Sequence, residues 1–213
     1  AGRTAPTTKG VRFMPQPVYI SALGVPDAAT MDDDIKAVYQ KCMDKLGLVP
    51  NVLSAYSLRP NKLRNFMAMY NELMLAPSGL SKLEREMIAV VVSSANHCYY
   101  CLVAHGQAVR QLSGDPELGE MMVMNYRVAK LDPRQRAMLD FTWKLTTTPH
   151  LVVDGDRDQL RAVGLGAEDI FDLCDTVGFF NLSNRVAIGT DMMPNREYHG
   201  MNRPEPFIAP EKK

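Results

Sequence analysis

The chain carries no excess charge of either sign: 24 lysines and arginines balance 24 aspartates and glutamates. Proteins that hold nucleic acid leave a basic footprint, and neither the balance nor any run shows one. A neutral surface also offers little self-repulsion, so self-association is expected. Long apolar runs are missing too. The longest, "MIAVVV" at 87–92, falls far short of the roughly 20 residues that cross a bilayer, so no membrane role is expected. The opening "AGRTAPTTKGVRFMPQPVYI" holds no apolar stretch of signal-peptide length, and a cytoplasmic location is the expectation. Alternating strand patterns are absent. Cysteine and histidine are scarce, with four of each. In a cytosolic chain so few cysteines do not read as a disulfide scaffold.

What is present is helical texture. At 213 residues and 46% hydrophobic composition, the chain can bury a sizeable core. "DDDIKAVYQKCMDKLG" opens with acids and closes on Gly47, which are helix start and stop signals. "NKLRNFMAMYNELML" sets Leu63, Phe66, Met67, Tyr70, Leu73 and Met74 at spacings of three and four, one apolar helical face. "PSGLSKLEREMIAVVVSSAN" pairs Ser81 with Glu84 in a capping-box pattern and then turns almost wholly apolar, so it is a central helix. The expected fold is a single all-α domain of about eight to ten helices. Its core runs over about 35–192, between proline-rich arms at 1–31 and 193–213.

Half of the scarce cysteines lie in one short stretch, "SSANHCYYCLVAHGQAVR". If Cys98 begins a helix, Cys101 and His105 lie about 60° and about 20° around the axis from it, all on one face. A thiol in a first helical turn meets free N–H groups and the helix dipole, which favour the thiolate. A histidine beside a thiol can take its proton. A sulfenic acid formed by peroxide on one sulfur can condense with the other to a disulfide. Zinc is the competing reading, but structural zinc wants four ligands. Cys42, Cys174, His150 and His199 are scattered singles. Two buried cysteines and a satisfied core histidine would have the same spacing. Glu86 lies about 18 Å from Cys98 along one straight helix. It can meet His105 only if the chain breaks at "SSANH" and folds back.

The spacing Glu86, Cys98, Cys101, His105 reads E-x11-C-x2-C-x3-H. With its surroundings "LSKLEREMIAVVVSSANHCYYCLVAHG" it resembles the core of the AhpD-like alkylhydroperoxidase and carboxymuconolactone decarboxylase superfamily. "GLVPNVLSAYSLRPNKLRNFMAMYNELM" is similar to the helical segment before that core, and "FFNLSNRVA" to the C-terminal helix of its peroxidase-related branch. The resemblance implies a multi-helical orthogonal bundle and a thiol peroxidase with no haem, flavin or metal cofactor, assembled as a homo-oligomer (dimer, trimer or hexamer). It implies Cys101 as the peroxidatic sulfur and Cys98 as the resolving one. His105 would be the proton acceptor, oriented by Glu86, and the Cys101 thiol would have a lowered pKa. The electron donor would be a lipoyl domain, a thioredoxin-like protein or a small thiol. Where family members carry a histidine before the second cysteine, this chain has Tyr100. The intact cysteine pair argues against the decarboxylase branch. A thiol–disulfide oxidoreductase or redox sensor, and a non-catalytic or zinc-binding oligomer, are the alternatives.

Overall fold

The computed structural model describes residues 15–203, and these form nine α-helices with no strand. The helices are α1 (Asp33–Leu46), α2 (Asn51–Tyr56), α3 (Pro60–Leu75), α4 (Lys82–Ala95), α5 (Tyr99–Ser113), α6 (Pro116–Asn125), α7 (Pro133–Thr147), α8 (Asp154–Ala162) and α9 (Ala167–Gly189). The all-α expectation holds. A helix that is apolar on every side must be buried on every side, and α4 is that helix. Met87 through Val92 are wholly buried, and α3, α5, α6, α7 and α9 all pack against α4.

The capping box forms as expected. Ser81 Oγ accepts from the Glu84 N–H, and Glu84 Oε2 accepts from the Ser81 N–H at 2.7 Å. Arg134 of α7 donates to the other oxygen of Glu84, so one carboxylate caps α4 and ties it to α7. Arg85 donates to the carbonyls of Leu73 and Ala76 and fastens the end of α3 to the start of α4.

The break at "SSANH" is a Schellman motif. The Cys98 N–H reaches back to the Ser93 carbonyl at 2.9 Å, and the His97 N–H to the Ser94 carbonyl at 3.2 Å. His97 takes the left-handed conformation, φ 54°, usually a glycine position. This turn reverses the chain, lays α5 against α4, and leaves Cys98 as the N-cap of α5.

The described parts of the two arms, 15–31 and 193–203, hold only short 3-10 turns and lie on their own chain. The Ala22 N–H donates to Thr190, and the Met193 N–H to Ile20. The Gln16 amide donates to Pro194. A 3-10 turn at Arg196–His199 is held on α5 by Arg110, which donates to the carbonyls of Tyr198 and Met201. The remaining arm residues, 1–14 and 204–213, lie outside the described residues.

Candidate functional site

Cys98 and Cys101 are both buried, 1% exposed each, and both are free thiols. They belong to one small cluster with Tyr100, Ala187 and Met192, walled by Val52, Ala55 and Tyr56 of α2. The Cys98 thiol is lowered to about 7. The hydrogen bond donated by the Cys101 thiol is the largest cause, set against burial and helped by the backbone N–H groups of Cys101 and Tyr100 and by the charge of His105. Cys101 is pushed well above the ordinary thiol range, because its proton is held in the bond to Cys98, because it is buried, and because a charge on Cys98 repels a second one. Asn184 and Ser183 of α9 pull the other way by hydrogen bonding to its sulfur.

The lowered pKa expected on Cys101 therefore falls on Cys98. The cause is position: Cys98 is the N-cap of α5, at the positive end of the helix dipole and beside the first-turn N–H groups, whereas Cys101 lies inside the helix.

Further along α5, His105 Nδ1 lies 2.7 Å from Glu86 Oε2, and both side chains are 12% exposed. A carboxylate that accepts from Nδ1–H leaves Nε2 as the free nitrogen of the neutral ring. Phe180 meets the imidazole edge-on, centroids 4.7 Å apart and planes at 80°, so the ring is held on two sides. The fold-back at Ser94–His97 thus unites Glu86 of α4 with His105 of α5, close enough to Cys98 for the charge of His105 to act on its thiol.

Tyr100, at the position of the family histidine, faces α2. Its hydroxyl accepts the Val52 N–H at 3.0 Å, and burial raises its pKa far above the usual tyrosine value. It anchors α2 rather than carrying protons. His97 is exposed in the turn. His150 and His199 are also exposed. Among the described residues, no three or more His, Cys, Asp or Glu side chains are arranged to hold a metal ion.

Several residues at the site carry no local sequence signal. Asn184 is fully buried. It donates to Ser93 Oγ at 3.0 Å and accepts from Asn96, which also reaches Asn181. This chain of amides pins α9 to the turn that carries Cys98. From the other side comes a row of rings. Tyr56 stacks on Phe66 at 4.4 Å, Phe66 meets Phe179 at 5.3 Å, and Phe179 meets Phe180 at 5.3 Å. Polar residues set three apart in an apolar helix, as Asn181 and Asn184 are in "FFNLSNRVA", are the one hint that α9 turns a polar edge inward.

The family model for the carboxymuconolactone decarboxylase family matches residues 60–142, which span α3 to α7. A crystal structure of an uncharacterized peroxidase-related protein from Silicibacter sp. TM1040 superposes with a TM-score of 0.86 at 57% identity, covering 90% of this chain and 100% of that one. A second, described as an alkylhydroperoxidase AhpD core and peroxidase-related protein from Ralstonia eutropha JMP134, gives 0.84 at 43% identity, covering 87% and 97%. The debrominase Bmp8 shares the fold at a TM-score of 0.70 and 15% identity, covering 86% of this chain and 96% of that one. Comparison with curated protein sequences finds no match. With the E…CxxC…H residues gathered around one turn and two relatives alike over nearly their whole length, the chain belongs to the AhpD-like alkylhydroperoxidase and carboxymuconolactone decarboxylase superfamily, in its peroxidase-related branch.

Proposed function

We propose that the protein is a thiol peroxidase that reduces organic hydroperoxides or hydrogen peroxide through a Cys98–Cys101 dithiol–disulfide cycle. One observation carries this reading: two free, buried thiols pack in one cluster, with the Cys98 thiol lowered by the hydrogen bond from Cys101 and by the charge of His105, which is itself paired with Glu86. Cys101 attacks. Its sulfur bonds to the distal oxygen of ROOH as the O–O bond breaks. The proton it sheds ends on the departing alkoxide, giving ROH. The Cys98 thiolate then displaces hydroxide from the Cys101 sulfenic acid, the disulfide forms, and hydroxide takes a proton to become water. His105, held by Glu86, is the group through which these protons pass. The hydrogen bonds from Ser183 and Asn184 converge on Cys101, which supports Cys101 as the sulfur that bears oxygen. The aromatic wall around Tyr56 and Phe66 favours peroxides with an organic group. The disulfide is returned to the dithiol by an external lipoyl, thioredoxin-like or small thiol. We also propose self-association, which sedimentation velocity at micromolar concentration measures.

The test is peroxide consumption with a panel of reductants, followed by mass spectrometry after one equivalent of peroxide. Cys101→Ser abolishes turnover. Cys98→Ser reacts once and accumulates sulfenic acid on Cys101. Sulfenate on Cys98 in the Cys101→Ser protein, formed at the wild-type rate, reverses the two roles. A second reading, thiol–disulfide exchange without peroxide turnover, is favoured by the low pKa of the first cysteine at a helix N-cap, the attacking position in such exchange. Rapid loss of both thiols to a disulfide donor, but not to peroxide, selects it.

A further inference from the structure

The peroxidase reading leaves one polar group beside Cys101 without a task. Tyr56 is the last residue of α2 and packs against the cysteine cluster. Its hydroxyl is buried and has no hydrogen-bond partner. Buried hydroxyls are nearly always partnered, and an orphan asks for a reason. The other orphaned side-chain atoms among the described residues, on Tyr39, Arg85 and Thr176, belong to residues outside that cluster. Burial and then the charge of Cys101 push the Tyr56 hydroxyl up to about 12. It is therefore a donor that keeps its proton at neutral pH, close enough to Cys101 to feel its charge.

The hydroxyl is also fixed in place. The ring lies stacked on Phe66, with planes at 28°. The start of α2 is pinned by three bonds. The Val52 N–H donates to the Tyr100 hydroxyl, the Asn51 N–H to Asn195 Oδ1 at 2.7 Å, and the Asn51 amide to the Met193 carbonyl at 2.8 Å. A fixed donor with no acceptor in the resting protein is what electrostatic preorganisation requires: it costs no rearrangement when charge develops in front of it.

We propose that Tyr56 is a further catalytic residue, whose O–H donates a hydrogen bond to the peroxide oxygen that becomes attached to Cys101. This rests on the peroxidase reading above. The step is the one already given: an S–O bond forms on Cys101, the O–O bond breaks, and the thiol proton ends on the alkoxide. Tyr56 lends a hydrogen bond throughout and gives up no proton. The transferred oxygen supplies the acceptor that the protein withholds, first in the transition state and then as the sulfenic acid awaiting Cys98.

Tyr56→Phe keeps the ring and removes only the hydroxyl. Three quantities separate the possibilities: single-turnover oxidation of the reduced protein by cumene hydroperoxide, alkylation by iodoacetamide, and Tm. The peroxide rate constant falls about 10- to 100-fold, in the range of one lost donor to developing charge. Alkylation, which transfers no oxygen, stays within about twofold of wild type, and Tm is unchanged or higher, because an unpartnered buried hydroxyl adds nothing to the resting fold. Oxidation of Tyr56→Phe at the wild-type rate overturns the proposal. So does a parallel fall in both rates, which makes Tyr56 a packing residue. A wild-type protein that is alkylated but inert to peroxide removes the peroxidase reading and this inference together, an outcome distinct from an active wild type matched by an equally active Tyr56→Phe.

Discussion

Cys98 accepts a hydrogen bond from Cys101, and that bond is the largest reason its thiol is lowered to about 7. A depressed acid keeps its charge as pH falls, down to the depressed value, and loses it below. Alkylation of Cys98, followed by mass spectrometry, should therefore have a midpoint near 7. Cys101→Ala removes the bond and returns the midpoint toward the free-thiol value of about 8.5. The ionised fractions of the two proteins then differ most between the two midpoints and converge above pH 9. His105→Ala acts in the same direction more mildly, since His105 contributes less than the Cys101 bond, and Glu86→Gln more mildly still. Curves for wild type and His105→Ala that coincide from pH 5.5 to 9.5 make His105 a packing residue. These residues differ in how far the chain announces them. Cys98, Cys101 and His105 share a helical face by spacing alone. Glu86 needs a tertiary turn to reach His105. Tyr56, Ser183 and Asn184 arrive from α2 and α9, elements remote in sequence, and no local pattern links them to the cysteines. The thiolate on Cys98 was legible from its place in the first helical turn; the raised pKa of Cys101 was not, because it depends on the bond between the two sulfurs.

The α4–α5 turn is the element on which the site depends. It converts one long apolar run into two packed helices and places Cys98 where first-turn N–H groups are free. Most of it was legible: Ser94, Asn96 and His97 are poor helix continuers and good caps, and the capping box at Ser81 was visible as a four-residue pattern. The identity of the left-handed residue was not, because that position usually falls to glycine and here it is His97, φ 54°. A non-glycine residue there costs on the order of 1 kcal/mol. His97 is exposed and its side chain makes no hydrogen bond at the site. His97→Gly should therefore raise stability by about 0.5–1 kcal/mol in urea unfolding and leave the Cys98 alkylation midpoint in place. A loss of stability would mean that the imidazole contributes contacts that outweigh the strain. Ser81→Ala sets the scale at the other end of α4, with a loss of about 1 kcal/mol for a removed N-cap.

Over the whole molecule, both ends of the described chain converge on the face that carries the cysteines, and Arg110 is the clamp. It is 6% exposed and donates to the carbonyls of Tyr198 and Met201 at 2.9–3.2 Å. Burial lowers its pKa, and the nearby charge of Arg203 adds to the effect, while Glu120 opposes it. Gly119 of α6 makes room for it, since a Cβ there would sit 2.4 Å from Arg110 Cγ. The clamped tail in turn holds α2: the Asn195 amide donates to the Val49 carbonyl at 2.9 Å, and its oxygen accepts the Asn51 N–H. Met192, where the tail begins, is part of the cysteine cluster. The proline content marks residues 193–213 as an arm, and its described part, to residue 203, holds only a 3-10 turn. It carried no sign of this docking, because the partner is a cation on a distant helix and the acceptors are backbone carbonyls, which every residue has. Arg110→Met removes three hydrogen bonds to a charged donor, each worth about 1.5–3 kcal/mol when unopposed. The buried charge disappears with them, so the net loss is smaller, about 2–4 kcal/mol. The local effect is sharper than the global one. Trypsin should cut after Arg196 at concentrations that leave the wild type intact, and Cys98 should alkylate several-fold faster at pH 9, where its ionisation no longer limits the rate. If the tail is released and Cys98 stays as slow as before, α2 covers the thiols without help from the tail. If the tail itself resists trypsin, the arm is held by its contacts with residues 15–24 and Arg110 is not the clamp.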